Sequence, residues 1–396
     1  MTERARWAAI FGYYLIGVFS AAQLGKMSAL APVLAADLRL SLTTVAGAIS
    51  LLEAGGALLG AVAGLLALRL GLRRTLLGGL ACLAAAGFGT AFARGAAGLI
   101  GWRLLESLGH LGVIVTVPVM IAAVAGPSAR VALALWSSFV PVGLALGAWA
   151  WGTLGALMSW RGAMVVGGAL ALLALAASAW ARPAAAPSAM PASAPVAGRV
   201  GAGAWCLAMS FGCCTLYEVG LLALLPSYLV ERAGASAGAA AHWTGVASAA
   251  AVLGSLVAAV LARRHVAPLL PTVATIVLPG LMLFGVFVDS PAVLPVALMA
   301  TALNALAGVY FSLAFGWLPA VAGGPAGMVR ANGLIAQFGA GGALAGPPFM
   351  AACVERWGWP AAALAGAAAA MVAVPLAWRA LRGVGTGREG AVLHPS

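Results

Sequence analysis

The sequence predicts an all-α membrane protein of twelve transmembrane helices, laid out as two six-helix bundles that repeat one another in parallel. Three observations lead there. Apolar residues make up 63% of the chain and charged residues only 8%, with a mean hydropathy of +1.06. Soluble domains carry about a quarter charged residues, so this exterior must face lipid. Apolar blocks long enough to cross a bilayer recur along all 396 residues. Finally, two landmarks return at nearly one offset: Arg130 reappears as Arg330 and Trp160 as Trp359, each at the same end of an apolar run.

The apolar blocks, read between charged and Pro/Gly punctuation, place the first six spans at 8–34, 43–67, 75–94, 97–122, 131–157 and 161–181. The second six fall at 203–229, 242–262, 268–288, 292–320, 329–352 and 359–381. The first apolar run is too long for a cleaved leader and many equivalents follow it, so it is expected as span one. Between the two sets the chain turns rich in Pro, Ala and Ser, a composition suited to a linker and too proline-rich for a helix. The expected organisation is therefore an N-terminal bundle over 1–182, a linker over 183–202, a C-terminal bundle over 203–382 and a tail over 383–396. Abundant alanine and 53 glycines let such helices approach closely and slide.

The net charge of +12 raises the possibility of nucleic-acid binding, but the basic residues stand in ones to threes between apolar blocks and form no basic domain. They obey the positive-inside rule instead. Starting inside, fourteen arginines fall on the side of the termini and linker, against Arg39, Arg94, Arg161, Arg232 and Arg356 on the other. Both termini and the linker are thus expected in the cytoplasm, with the chain in a bacterial inner membrane. The five cysteines all fall in or beside spans, where they read as small buried hydrophobes rather than a disulfide or metal framework.

Ionisable groups inside lipid are costly and each needs a reason. Six stand out: Lys26, Glu53, Arg103, Glu106, His110 and Glu218. Lys26 is the only lysine among 21 basic residues. A compact ammonium whose pKa can shift fits a substrate anion, or a partner carboxylate that it can leave. The alternative is a side chain snorkelling to the interface. Arg103, Glu106 and His110 are spaced i, i+3, i+7 and share one helix face. A carboxylate held by a guanidinium yet desolvated is poised to load and release a proton; the alternative is a static ion pair. His110 reads better as a packing histidine. Glu53 and Glu218, mid-span, are further proton candidates or permanently neutral hydrogen-bonding groups. Gln23, Ser137, Asn304, Tyr310 and Gln337 either complete a binding site or join helices.

The segment Gly64-Leu65-Leu66-Ala67-Leu68-Arg69-Leu70-Gly71-Leu72-Arg73-Arg74 resembles the loop signature of the major facilitator superfamily, Gly-x-x-x-Asp-Arg-x-Gly-Arg-Arg. Gly64, Arg69, Gly71 and Arg73 match in register; Leu68 occupies the acidic position, and Leu72 replaces the first arginine of the closing pair. Arg103-Leu104-Leu105-Glu106-Ser107-Leu108-Gly109 is similar to that family's Arg-x-x-Gln-Gly-x-Gly. The Gly-Pro-x-x-Gly-Gly run of its antiporters is absent from span five. The resemblance implies a two-bundle transporter working by alternating access, with spans one and seven at its cavity and the 64–73 loop as a gate. Lys26, Arg103, Gln23, Asn304 and Tyr310 are then the expected substrate residues, and Glu106, Glu218 and Glu53 the expected proton carriers.

The expected function is proton-coupled transport of a small organic solute, with an anion favoured by the two cations; a proton-driven drug or siderophore exporter is the alternative. Partners are a small-molecule substrate, the proton and membrane lipid, with the chain a monomer. Neither cofactor nor metal is expected, and no nucleic acid. Gly25-Lys26 lacks the first glycine and the hydroxyl residue of a phosphate-binding loop, Ser20 and Met27 standing in their places. An enzyme would need clustered catalytic residues, which four scattered histidines do not supply. A sensor would need an output domain, and no segment is polar enough for one.

Overall fold

The computed structural model describes residues 2–125, 128, 132, 135–136, 138–180, 201–263, 269–287, 292–321 and 325–382. Their regular structure is entirely helical. Helix α1 covers Glu3–Leu38, α2 Leu42–Ser50, α3 Ala54–Leu70, α4 Leu72–Ala91, α5 Ala96–Ala125, α6 Phe139–Leu157 and α7 Trp160–Trp180. The second half holds α8 (Ala202–Glu231), α9 (Ala237–Arg263), α10 (Leu269–Val286), α11 (Val293–Val321), α12 (Pro325–Trp357) and α13 (Pro360–Leu381). Every expected span coincides with a helix, the fifth from Phe139 onward. Arg130, most of the linker, the tail and Ser137 lie outside the described residues.

Two expectations need adjustment. The second span was expected as one run, but a 3-10 turn at Leu51–Glu53 splits it into α2 and α3. Eleven helical stretches among the described residues are long and apolar enough to cross a membrane, the second span counting as one over Leu42–Gly60. The eleventh expected span is not one of them: α12 is 33 residues long, but its glycines and the Pro347-Pro348 pair dilute its hydropathy. Helix ends follow local chemistry. Thr2 and Ser41 cap α1 and α2 by accepting from Ala5 N–H (3.3 Å) and Thr44 N–H (3.2 Å). Gly71 separates α3 from α4 at φ +91°, a conformation that only glycine adopts cheaply.

By their contacts the helices form two compact units. One comprises Met1–Ala194 with Leu222–Ala249; the other comprises Pro195–Leu221 with Ala250–Ser396. Within the first, α1 packs on α6, and α4 packs on α5 and α7. Within the second, α10 packs on α11 and α13. These are the same pairings of the third span with the fourth and sixth in each half. The repeat also holds at the level of single glycines. A Cβ on Gly143 of α6 would lie 2.6 Å from the Val18 carbonyl of α1, and one on Gly147 would lie 2.5 Å from that of Ala22. Gly342 and Gly346 of α12, each 199 positions later, press in the same way on the carbonyls of Gly212 and Leu216 in α8. Such small-residue contacts are how helices pack in lipid, where burial of apolar surface gives no driving force.

The recurring tryptophan landmark has a structural use too. Trp160 Nε1 and Arg161 Nη1 both donate to Asp37 Oδ2, at 3.0 and 2.6 Å, tying the start of α7 to the end of α1. Its counterpart Trp359 stacks on Phe287 beside the end of α10.

Replacing Gly147 with alanine drives a methyl group into the backbone of α1, an overpacking that costs about 1–3 kcal/mol. The purified variant should therefore melt at a lower temperature than the parent. Gly12→Ala, where nothing lies within 4 Å of the new methyl group, should not. Equal melting temperatures for all three proteins would show that the α1–α6 contact is not tight.

Candidate functional site

Helix α5 places Arg103, Glu106, Ser107 and His110 at i, i+3, i+4 and i+7, on one face directed at α1 and the α2–α3 junction. Lys26 meets them from α1. Its Nζ lies 2.6 Å from Glu106 Oε1, while Arg103 Nη1 lies 2.5 Å from Glu106 Oε2. One carboxylate thus bridges two cations, each of its oxygens bonded to a different one. All three side chains are at most 1% exposed. Burial makes each charge dependent on the others, because removing one partner leaves an uncompensated charge in a low dielectric.

Arg103 does more than neutralise Glu106. Its Nε donates to the Ala48 carbonyl at 2.7 Å and its Nη2 to the Ile49 carbonyl at 2.9 Å; Nη1 also reaches the Gln23 carbonyl at 3.4 Å. Ala48 and Ile49 are in the last turn of α2, immediately before the 3-10 turn. Ser107 completes the support, donating to the Leu52 carbonyl at 2.9 Å and accepting the Gly55 N–H at 2.8 Å. The interruption of the second span is therefore held by two side chains of α5. In lipid such a break persists only where protein groups satisfy the backbone it disturbs. Ser107 was not singled out from the sequence. Its position one turn after Arg103 on the polar face is the signal that points to it.

The same turn carries Glu53, whose Oε1 lies 3.8 Å from His110 Nε2; the opposite ring nitrogen, Nδ1, is 2.8 Å from Ser20 Oγ. The packing role expected for His110 is thus joined to a position between a hydroxyl and a carboxylate. Gln23 Nε2 turns back to its own helix, donating to the Phe19 carbonyl at 3.0 Å. Lys26, Gln23, Glu53, Arg103 and Glu106 consequently belong to one cluster in the first unit.

The other expected substrate and proton residues lie in the second unit. Tyr310 and Ser210 hydroxyls are 2.8 Å apart, and Ser210 donates onward to the Ala373 carbonyl of α13. Asn304 donates to the Ala300 carbonyl, while its buried Oδ1 has no hydrogen-bond partner among the described residues. Glu218, 8% exposed, makes no hydrogen bond or ion pair with a described residue. In the 64–73 segment, Gly64 and Arg69 lie in α3, and Gly71 forms the turn. Arg73 Nη2 donates to the Ala179 carbonyl at 2.6 Å, clipping α4 to the C-terminal end of α7. No three His, Cys, Asp or Glu side chains assemble for a metal ion among the described residues. The arrangement sets one buried carboxylate between two buried cations.

Comparison with known proteins bears on what such a cluster serves. No curated protein matches the sequence significantly. Among solved structures, a bacterial homolog of the human lysosomal transporter Spinster is similar in two states. In its inward-facing unoccupied form it is 16% identical, with a TM-score of 0.75 and 97% of each chain covered. In its inward-facing occupied form it is 15% identical, with the same score and coverage. A point mutant of the nucleoside transporter NupG is 12% identical with a TM-score of 0.75, over 94% of this chain and 99% of its own. At these identities the likeness is one of fold. The sequence itself matches the Major Facilitator Superfamily over residues 13–329, most of its length, and the chain belongs to that family of transporters.

Proposed function

We propose that this protein is a secondary active transporter that couples a proton to the movement of a small organic anion by alternating access. One observation carries the reading: a buried carboxylate, Glu106, is bonded at once to the chain's only lysine and to Arg103. Protonation of Glu106 removes the charge that holds Lys26, and the freed ammonium becomes a point donor for a substrate carboxylate or phosphate. Departure of the anion returns Lys26 to Glu106 and expels the proton. Arg103 is less free to follow, since it is anchored to three backbone carbonyls as well. Its part is to hold Glu106 in place and to keep the second span interrupted.

Glu53 and Glu218 are the further proton carriers in this scheme, and Gln23, Asn304 and Tyr310 orient the solute. The halves 1–182 and 203–382 act as the two moving bundles joined by 183–202, with Gly64, Arg69, Gly71 and Arg73 at a gate. The chain works as a monomer in a bacterial inner membrane, its termini and the 383–396 tail in the cytoplasm. A second reading, proton-driven export of a cationic drug or of a siderophore, draws support from Glu218, a buried carboxylate that makes no hydrogen bond or ion pair among the described residues and suits a cation.

A thermal-shift screen of purified protein against small organic anions, cations and neutral compounds separates the two readings. Stabilisation by an anion, lost in Lys26→Ala, is the expected result. Stabilisation by lipophilic cations, indifferent to that substitution but lost in Glu218→Gln, would favour the exporter.

In proteoliposomes Glu106→Gln should still exchange labelled substrate across the membrane but fail to accumulate it against a gradient, with the pH dependence of exchange largely gone. Accumulation at the parental rate would remove Glu106 from the coupling step. Arg103→Lys retains the charge but not the fork that reaches Ala48, Ile49 and Glu106 together. Breaking so buried a network typically costs about 3–5 kcal/mol, so the variant should express poorly or melt well below the parent. Parental stability would show that the interrupted second span does not depend on Arg103.

A further inference from the structure

Two helices of this protein carry prolines whose consequences meet. Pro32 lies inside α1 and Pro226 inside α8. Proline has no N–H, so the carbonyl four residues earlier loses its helical donor; here these are the carbonyls of Ser28 and Leu222. Within lipid a freed carbonyl must find a donor elsewhere, commonly a Ser or Thr hydroxyl. The Ser28 hydroxyl donates to the Leu222 carbonyl at 2.6 Å, with both residues buried. The two positions are equivalent in the repeat. The α6 glycines press on residues 18–22 of α1 and the α12 glycines on residues 212–216 of α8, which fixes a shift of 194 between the two helices. That same shift carries Ser28 onto Leu222 and Pro32 onto Pro226.

Leu222 is also where α8 changes company. Up to Leu221 the helix groups with the second unit, and from Leu222 onward it groups with the first. On the first-unit side the contacts are among small groups. A Cβ on Gly152 would strike the Ala241 methyl group of α9, and one on Gly245 would lie 3.0 Å from the Ala145 carbonyl. Ala223 and Ala241 are buried in one apolar cluster with Met27, Leu30 and Trp151. Apolar and small-residue contacts of this kind separate without leaving a polar group bare. The Ser28–Leu222 bond does not, because breaking it exposes a carbonyl that its own helix cannot satisfy.

We propose that Ser28 is a positioning residue of the transport cycle, its hydroxyl latching the Leu222–Glu231 end of α8 to α1 by filling the acceptor that Pro226 frees. The seam around Ala223 then opens only when water can reach the Leu222 carbonyl in place of Ser28. Ser28 follows Lys26 by two residues on α1, so a shift of α1 that accompanies release of Lys26 acts directly on the latch. The inference rests on the alternating-access reading but on neither the coupling ion nor the substrate.

The test is a double-mutant cycle read by the labelling rate of a buried reporter, Ala223→Cys, with a water-soluble maleimide. Labelling of the five native cysteines, measured in protein without the reporter, is subtracted. Ser28→Ala leaves the carbonyl unfilled in the closed seam and should label about five- to tenfold faster, whereas Ser28→Thr, which keeps the hydroxyl, should match the parent. Pro226→Ala restores the helical N–H and makes Ser28 dispensable to the carbonyl. It should also label faster, and adding Ser28→Ala to it should change the rate less than twofold. Equal acceleration by Ser28→Ala with and without Pro226 would overturn the proposal, as would parental labelling of Ser28→Ala. Should Ser28→Ala fail to fold, parental labelling of Pro226→Ala alone would do so. Labelling needs neither substrate nor proton gradient, so these outcomes stand apart from the transport assays.

Discussion

Inside a bilayer there is no water to satisfy a polar group, and so every N–H, carbonyl and charge in the hydrocarbon region must be met by the protein itself. The charge cluster of α1 and α5 obeys this constraint at each atom. Glu106 shares its two oxygens between Lys26 and Arg103, and Arg103 spends its remaining donors on the carbonyls of Gln23, Ala48 and Ile49. Ser107 serves the two backbone groups next along the interrupted second span. The irregular backbone at Leu51–Glu53 and the buried charges are therefore one structure, since each supplies partners that the other lacks.

The same constraint governs where helices touch. With no hydrophobic drive between helices in lipid, contact depends on close approach of backbones, and the glycines of α6 and α12 supply it against α1 and α8. These surfaces carry little polar chemistry, so they tolerate movement. The charged cluster is different, because its members cannot part without new partners. Lys26 and Ser28, which bond Glu106 and the Leu222 carbonyl, lie two residues apart on α1.

The two cations of the cluster are held differently. Arg103 is tied to the backbone of two other segments and to Glu106, an arrangement suited to holding rather than exchanging. Lys26 holds a single oxygen of Glu106. Leu68 stands at the acidic position of the loop signature, and Arg73 donates to the Ala179 carbonyl at the end of α7.

Much of this was legible in the sequence. Low charge and recurring apolar blocks determined that the chain is a bundle of membrane helices, because only satisfied helices explain such a composition in lipid. The Arg130–Arg330 and Trp160–Trp359 offsets announced the duplication, and the i, i+3, i+7 spacing placed Arg103, Glu106 and His110 on one face. The sequence could not decide partners between helices, since those depend on how distant segments come together. Lys26 and Glu106 are 80 residues apart, and Ser28 and Leu222 are 194 apart. Nor did composition reveal the 3-10 turn in the second span, where local apolar pattern favours an unbroken helix and the compensating donors come from α5. Periodicity reports which face of a helix is polar; only the packed fold decides what that face holds, because hydrogen bonds form over ångströms and not over sequence.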